Sequence, residues 1–336
     1  MTAGTVLEEP AGAAVAGAAE PSSRRRVRPV RRPRPGAVPP PSTRPKKPSV
    51  GRAPVAPWRM LLSMVLTMLA TVITLQLINL VGVSPLLHAT AQERLYEELR
   101  LSLSEGSAPL GQTTFDGALV APGTPLALLS IPDIGVREVV VEGTASAQTM
   151  LGAGHRRDTP LPGQTGTSVL MGRSGAYGGV FRSLHDLAPG SRFTLTTGQG
   201  EAAFEVMGLR RAGDQAPPAP LPTEGRLTLI TADGPAFMPE DVLRVDAKLV
   251  SKPFEKAAPV LVPGSLPGAE QAMGQDTTNL FTLVLCLQLL ILVSVAAVWS
   301  WTRWGRRETW LVFVPALTAA GLITGTNVNF LLPNLL

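Results

Sequence analysis

Few side chains in this sequence combine a reactive atom with a setting in which that atom could do chemistry. The single cysteine, Cys286, lies inside a long apolar run, so it forms no intrachain disulfide and is poorly placed to become a thiolate. The three histidines, His88, His155 and His185, show no metal-ligand spacing, and no metal or other cofactor is expected. A hydroxyl activated by an imidazole is conceivable, with Ser174 and His155 as the candidate pair.

The basic residues are concentrated where a membrane protein needs them. The chain carries 30 Lys and Arg against 25 Asp and Glu, a net charge of +5. A dense basic group occupies residues 24–52, directly before an apolar run. This is the pattern of a cytoplasmic flank of a membrane span, so anionic lipid is the expected partner and nucleic acid is not. Residues 1–57 are predicted to be a disordered cytoplasmic Arg/Pro-rich tail, acting as a solvated spacer or as a docking segment.

Three apolar stretches are each long enough to cross a membrane, which takes about 20 helical residues. They cover residues 58–84, 279–301 and 309–332, and a basic loop at 302–308 separates the last two. Because Lys and Arg favour the cytoplasmic side, the N-terminus should be cytoplasmic and the region after the first span extracytoplasmic. The expected location is the cytoplasmic membrane, with several passes.

Two connecting regions flank the central part of the chain. Residues 85–123 are predicted to be an amphipathic helix followed by a linker, since Leu95, Leu99 and Leu103 recur at helical spacing. Residues 251–278 are predicted to be a second linker.

Residues 124–250 alternate short β-like runs with turn residues. Many of these runs alternate apolar and polar side chains, and they are rich in β-branched residues. They read TPLALLSI, REVVVE, TSVLMG, RFTLTT, AAFEVMGL, RLTLIT and VLRVDAKLV. Short helical pieces fit at 147–151 and 181–187. The pattern predicts a β-barrel or sandwich of about 130 residues.

An ordered series of short motifs in this region resembles the sortase family, in particular actinobacterial, class E-like sortases. Residues 131–172 read IPDIGVREVVVEGTASAQTMLGAGHRRDTPLPGQTGTSVLMG and follow the family's order of an IP…I strand, an EG turn and a GH…T…PG loop. A GG-x-F-x-x-L helix follows at 178–184, then the strand LTLIT at 227–231 and an arginine-bearing strand around Arg244. The resemblance covers residues 115–250 and implies a mainly β fold, a sortase-like closed β-barrel with short helices. The three predicted transmembrane α-helices lie outside this region.

The resemblance also implies which positions should carry catalysis. Sortases use a cysteine thiolate as nucleophile, a histidine for proton transfer and an arginine beside the reacting carbonyl. In this chain the cysteine position is Ala232 and the histidine position is Arg173, while Arg244 is retained. Alanine has no nucleophilic atom, and arginine stays protonated. The chain is therefore expected to be a sortase-like pseudoenzyme rather than an enzyme.

The altered groove could still bind a ligand. Its candidate residues are Arg173, Ser174, Thr231, Asp233, Arg244 and His155. Arg173 and Arg244 would repel each other unless an anion joined them. Asp233 could supply that anion, or a partner could supply a carboxylate or phosphate. Thr231 should face away from the groove, because it alternates with Ala232 along a strand.

Three functional hypotheses remain open. The first is a non-catalytic protein that binds a peptide, a cell-wall component or a surface protein outside the membrane. The second is an active transpeptidase or hydrolase with non-standard residues such as Ser174 and His155. The third is a structural scaffold that assembles with other membrane proteins through its additional spans.

Overall fold

The computed structural model describes residues 57–235 and 237–336. The predicted tail at 1–57 therefore lies, apart from its last residue, outside the described part of the chain. The described helices are α1 (Pro57–Ile78), α2 (Ser84–Glu105), α3 (Ser146–Thr149), α4 (Leu280–Arg303) and α5 (Arg306–Phe330). A π-helical turn, Asn79–Val83, joins α1 to α2 without a break.

Eight strands within the described residues form one closed barrel. They are β1 (Pro125–Ile131), β2 (Val136–Glu142), β3 (Gly154–His155), β4 (Gly166–Met171), β5 (Arg192–Thr197), β6 (Gly200–Arg210), β7 (Gly225–Asp233) and β8 (Asp241–Leu249). Their order around the barrel is β1-β2-β3-β4-β7-β8-β6-β5. The predicted β-barrel is confirmed, and seven of its strands overlap the runs read from the sequence.

The barrel closes around alternate side chains of its strands. Along β5 and β6 every second residue is buried, and Phe193 stacks on Phe204 with ring centroids 5.5 Å apart. Leu227 and Leu229 of β7 point into the same core, so the side chain of the one residue between them points away from that core. The hydrophobic alternation of these strands thus closes the sheet on itself.

The long helix formed by α1, the π-helical turn and α2 ends against the barrel. Leu95 and Leu99 of α2 are buried against Val139 and Val141 of β2. Gln92 adds a polar clamp, because its side-chain oxygen accepts the Val139 N–H at 2.7 Å. The apolar stripe of α2 therefore packs on the barrel wall.

Residues 251–278 also lie against the barrel. The Phe254 N–H donates to the carbonyl of Gly163 at 2.8 Å. Glu270, which is buried, forms an ion pair with Arg157. This region connects the barrel to α4 through specific contacts.

Among the described residues, three helices are long and apolar enough to cross a membrane. They are Leu69–Glu105, Leu280–Trp301 and Arg307–Phe330. The first candidate extends beyond the predicted span because α1 and α2 are continuous. Pro315 lies within α5 without ending it, as membrane helices tolerate.

Candidate functional site

Three neighbouring strands place the expected catalytic positions on one outer face of the barrel. β7 lies between β4 and β8, with Met171 opposite Ile230 and Ile230 opposite Arg244. Ile230 and Ala232 pack with Met171 in a cluster separate from the barrel core. Since residues two apart along a strand share a face, the side chains of Ala232 and Arg244 belong to this outer face. Arg173 follows Met171, the last residue of β4, by two residues. We call this face the groove.

Gly172 allows the chain to pass close to the segment that follows it. A Cβ at this position would lie 2.5 Å from the ring of Phe181, which no real contact permits. The Phe181 N–H in turn donates to the carbonyl of Arg173 at 3.0 Å. A glycine is therefore needed immediately before Arg173, where the resemblance to sortases also places one.

Arg173 is fully buried, and its guanidinium binds main-chain and hydroxyl oxygens. One nitrogen donates to the main-chain oxygen of Leu336 at 3.1 Å. The other donates to the carbonyl and the hydroxyl of Ser146 at 3.3 and 3.2 Å. The guanidinium carbon also lies 5.4 Å from the ring centroid of Tyr177, within cation–π range.

Burial lowers the pKa of Arg173 to about 10, partly offset by Tyr177. The side chain is still protonated at neutral pH, so it cannot act as a general base there. Burying a cation is costly unless its hydrogen-bond acceptors are well placed. Arg173 thus serves as a donor of hydrogen bonds to backbone and hydroxyl oxygens.

Ala232 and Thr231 occupy opposite faces of β7. Ala232 lies in the groove cluster, whereas Thr231 pairs with Leu243 of the barrel core. The hydroxyl of Thr231 is buried and has no hydrogen-bond partner among the described residues. Neither side chain presents a nucleophile to the groove.

Arg244 and Asp233 do not join Arg173 in an ion pair. Arg244 donates to the carbonyl of Val242 at 3.4 Å, and Asp233 pairs with Arg211. One strand separates β4 from β8, so the backbones carrying the two arginines are about 10 Å apart. The hypothesis that Asp233 bridges the two arginines is therefore wrong, because Arg211, directly after the end of β6, takes that carboxylate.

His155 and Ser174 have separate sets of partners. His155 is buried, with Nδ1 2.7 Å from the carboxylate of Glu142 and Nε2 3.0 Å from the carbonyl of Pro160. Burial lowers the pKa of His155, but Glu142, Pro160 and Asp158 together raise it, so the pKa lies above its ordinary value of 6.5. The hydroxyl of Ser174 instead donates to the carbonyl of Leu335 at 3.3 Å. Both ring nitrogens of His155 are thus engaged within the β2–β3 region.

The end of the chain, of which only residues 331 and 332 belong to the predicted third span, contributes to the groove. α5 ends at Phe330, and residues 331–336 turn onto the barrel. Leu335 is fully buried in the groove cluster beside Ala232. The available signal was Pro333, which disfavours helix in the residue before it and so marks an end to α5. We call residues 331–336 the C-terminal segment.

Comparisons with known proteins agree with this architecture. Residues 129–250 match the family model described as Sortase domain. Sortase D of Bacillus subtilis is 32% identical over 85 residues, which is 25% of this chain and 41% of that protein. The match therefore spans less than half the length of this curated relative.

Solved sortase structures are also similar to part of this chain. A Clostridium perfringens sortase D5 transpeptidase is 22% identical, with a TM-score of 0.41 over 48% of this chain and 99% of that chain. Sortase E1 from Streptomyces coelicolor is 22% identical, with a TM-score of 0.33 over 40% of this chain and 92% of that chain. Each of the two structures is similar to less than half of this chain.

Proposed function

We propose that this protein is a membrane-anchored sortase-like pseudoenzyme, a degenerate relative of class E-like sortases. It acts by binding outside the cytoplasmic membrane rather than by transpeptidation. The observation that carries the proposal is the chemistry of the groove. Ala232 offers no nucleophile, and the buried guanidinium of Arg173 stays protonated at neutral pH. Acyl transfer needs both a nucleophile and a group that removes its proton.

The partner we propose is a peptide, a cell-wall component or a surface protein on the outer side of the membrane. In this arrangement α1, α4 and α5 cross the cytoplasmic membrane and the barrel is extracytoplasmic. Arg303 and Arg307 flank the turn between α4 and α5, which supports a cytoplasmic position for that turn.

The turnover test uses the purified full chain in detergent, a sorting-signal peptide and an amine acceptor. We expect no cleaved or transferred peptide, while a catalytically competent sortase run in parallel gives product. Product formation that Ser174→Ala or His155→Ala abolishes, and Ser107→Ala leaves intact, would overturn the proposal. Ser107 is the matched control because it is exposed and lies outside the groove.

A structural scaffold is the second candidate, and one observation favours it. The groove is filled by the C-terminal segment, so a role that needs no ligand there is consistent with the packing. Complementation of a deletion strain separates the two candidates. Arg244→Ala should restore the wild-type phenotype if the barrel is a scaffold, and should fail if the groove binds a partner through this half-buried arginine.

A further inference from the structure

The C-terminal segment is held through its backbone. The carbonyl of Leu332 accepts from the Ser146 hydroxyl at 2.8 Å, and the carbonyl of Leu335 accepts from the Ser174 N–H at 2.9 Å. The carbonyl of Leu336 accepts from Arg173. Donors from α3 and from the end of β4 therefore bind the main chain of the segment, as in the recognition of an extended peptide.

Asn334 holds the middle of the segment as a hydrogen-bond donor rather than as an acceptor. Its side-chain nitrogen donates to the carbonyls of Thr144 and Gln271 at 2.7 and 2.8 Å. Its backbone N–H donates to the carbonyl of Gly274 at 3.0 Å. Asn334 is fully buried, so these bonds replace water that the side chain would otherwise bind.

The apolar side of the segment covers the position expected to carry the nucleophile. Leu335 is fully buried against Met171, Ile230 and Ala232. Burying a leucine side chain contributes roughly 1.5–3 kcal/mol of hydrophobic stabilisation. The groove is thus closed by a leucine that the same chain supplies.

We propose that the C-terminal segment is a tethered peptide ligand of the groove, which it closes to peptides in trans. The site reads main-chain carbonyls through Arg173 and Ser174 and takes an apolar side chain next to Ala232. Its ligand class is an extended apolar peptide, and its resident ligand is residues 331–336 of the same chain. This inference rests on the proposed function only in treating the face as a binding groove, and occupancy is measured independently of turnover.

Disulfide trapping tests the occupancy in the full chain. In a Cys286→Ser background, Ala232→Cys combined with Leu335→Cys should form an intrachain disulfide on mild oxidation. The matched control combines Ala232→Cys with Leu221→Cys. Leu221 is exposed, so this pair should form no disulfide. Equal trapping in both pairs, or a disulfide between two chains in the first pair, would contradict an intramolecular ligand.

Release of the segment tests closure. A fluorescent peptide of sequence LLPNLL is titrated into the full chain in detergent, with retention on the protein as the readout. We expect Leu335→Asp to retain at least about tenfold more peptide than the wild type, because a buried carboxylate expels the segment. Leu221→Asp is the control and should behave as wild type.

Equal peptide retention by Leu335→Asp and the wild type would overturn closure in trans. If Leu335→Asp fails to fold, the cysteine pair still decides whether the segment occupies the groove. A sortase-like turnover by the wild type would refute the proposed function while leaving the trapping result to be read separately.

Discussion

Arg173 and His155 are two buried groups that are positively charged when protonated, and the chemistry of the barrel depends on them. The partners that stabilise this charge differ between the two groups. Arg173 donates to peptide and hydroxyl oxygens, and one of its nitrogens, Nε, has no partner among the described residues. His155 faces a carboxylate at hydrogen-bond distance. Burial disfavours the charged form of both groups, while Glu142 favours the protonated form of His155 and Tyr177 that of Arg173.

The pairing of His155 with Glu142 predicts a pH-dependent stability. Because the folded pKa of His155 is raised above 6.5, its contribution is fully present below that pH. It is lost as the pH rises through the raised folded value. Asp158 adds to the shift in the same direction. Thermal unfolding of the full chain in detergent across this range should therefore show stability falling with rising pH.

His155→Gln should remove this part of the pH dependence, and His185→Gln should retain it. His185 is the matched control because it is exposed and lies outside the buried pair. An unchanged pH profile for His155→Gln would contradict the assignment.

At the scale of elements, a polar network joins the candidate membrane helices α1 and α5 to the barrel. Asn329 of α5 accepts from Gln76 of α1 at 2.6 Å and donates to Asn79 at 3.0 Å. It also donates to the hydroxyl of Tyr177 at 3.0 Å. Tyr177 has φ of 50°, an uncommon conformation for a residue with a side chain, and its N–H donates to Ser84. Contacts from α2, α5 and Arg173 thus converge on a strained residue.

Asn329→Ala should therefore loosen the junction between α5 and the barrel. The substitution leaves Gln76, Asn79 and Tyr177 without their shared partner, at a cost of about 1–3 kcal/mol. The measurement is the thermal unfolding midpoint in detergent. Asn327→Ala is the matched control on the same helix, because Asn327 bonds mainly to its own helix and to Cys286. Equal destabilisation by both substitutions would count against the network.

Much of the barrel could be predicted from the sequence, because its strands form short runs rich in apolar and β-branched residues. RFTLTT also shows the alternation of buried and more exposed residues locally, without reference to other strands. β3 could not be found in this way, since two residues carry no period and are fixed only by pairing with β2 and β4. The partner of Asp233 and the position of the C-terminal segment were likewise missed, because both depend on chain segments far away in sequence.

For the whole molecule, the proposed topology places the barrel and the turn between α4 and α5 on opposite sides of the membrane. Both flanks of the barrel lead into candidate membrane helices, through α2 and through residues 251–278. The groove should then lie on the outer side, close to the end of α5.

Cysteine labelling in whole cells checks this topology. In a Cys286→Ser background, Asp214→Cys in an exposed barrel loop should react with a membrane-impermeant maleimide on intact cells. Trp304→Cys, in the exposed turn between α4 and α5, should react only after permeabilisation. The reverse pattern would invert the topology.

The end of α5 at Phe330 has a consequence for competition. Only one residue separates the helix from Leu332, the first groove contact through its carbonyl. So short a connection gives the segment an effective concentration on the order of millimolar or more at the groove. A freely diffusing peptide of equal intrinsic affinity would have to reach that concentration to displace it. A ligand held in the same membrane would have a higher local concentration beside the barrel than a freely diffusing peptide. It would therefore compete with the segment more effectively.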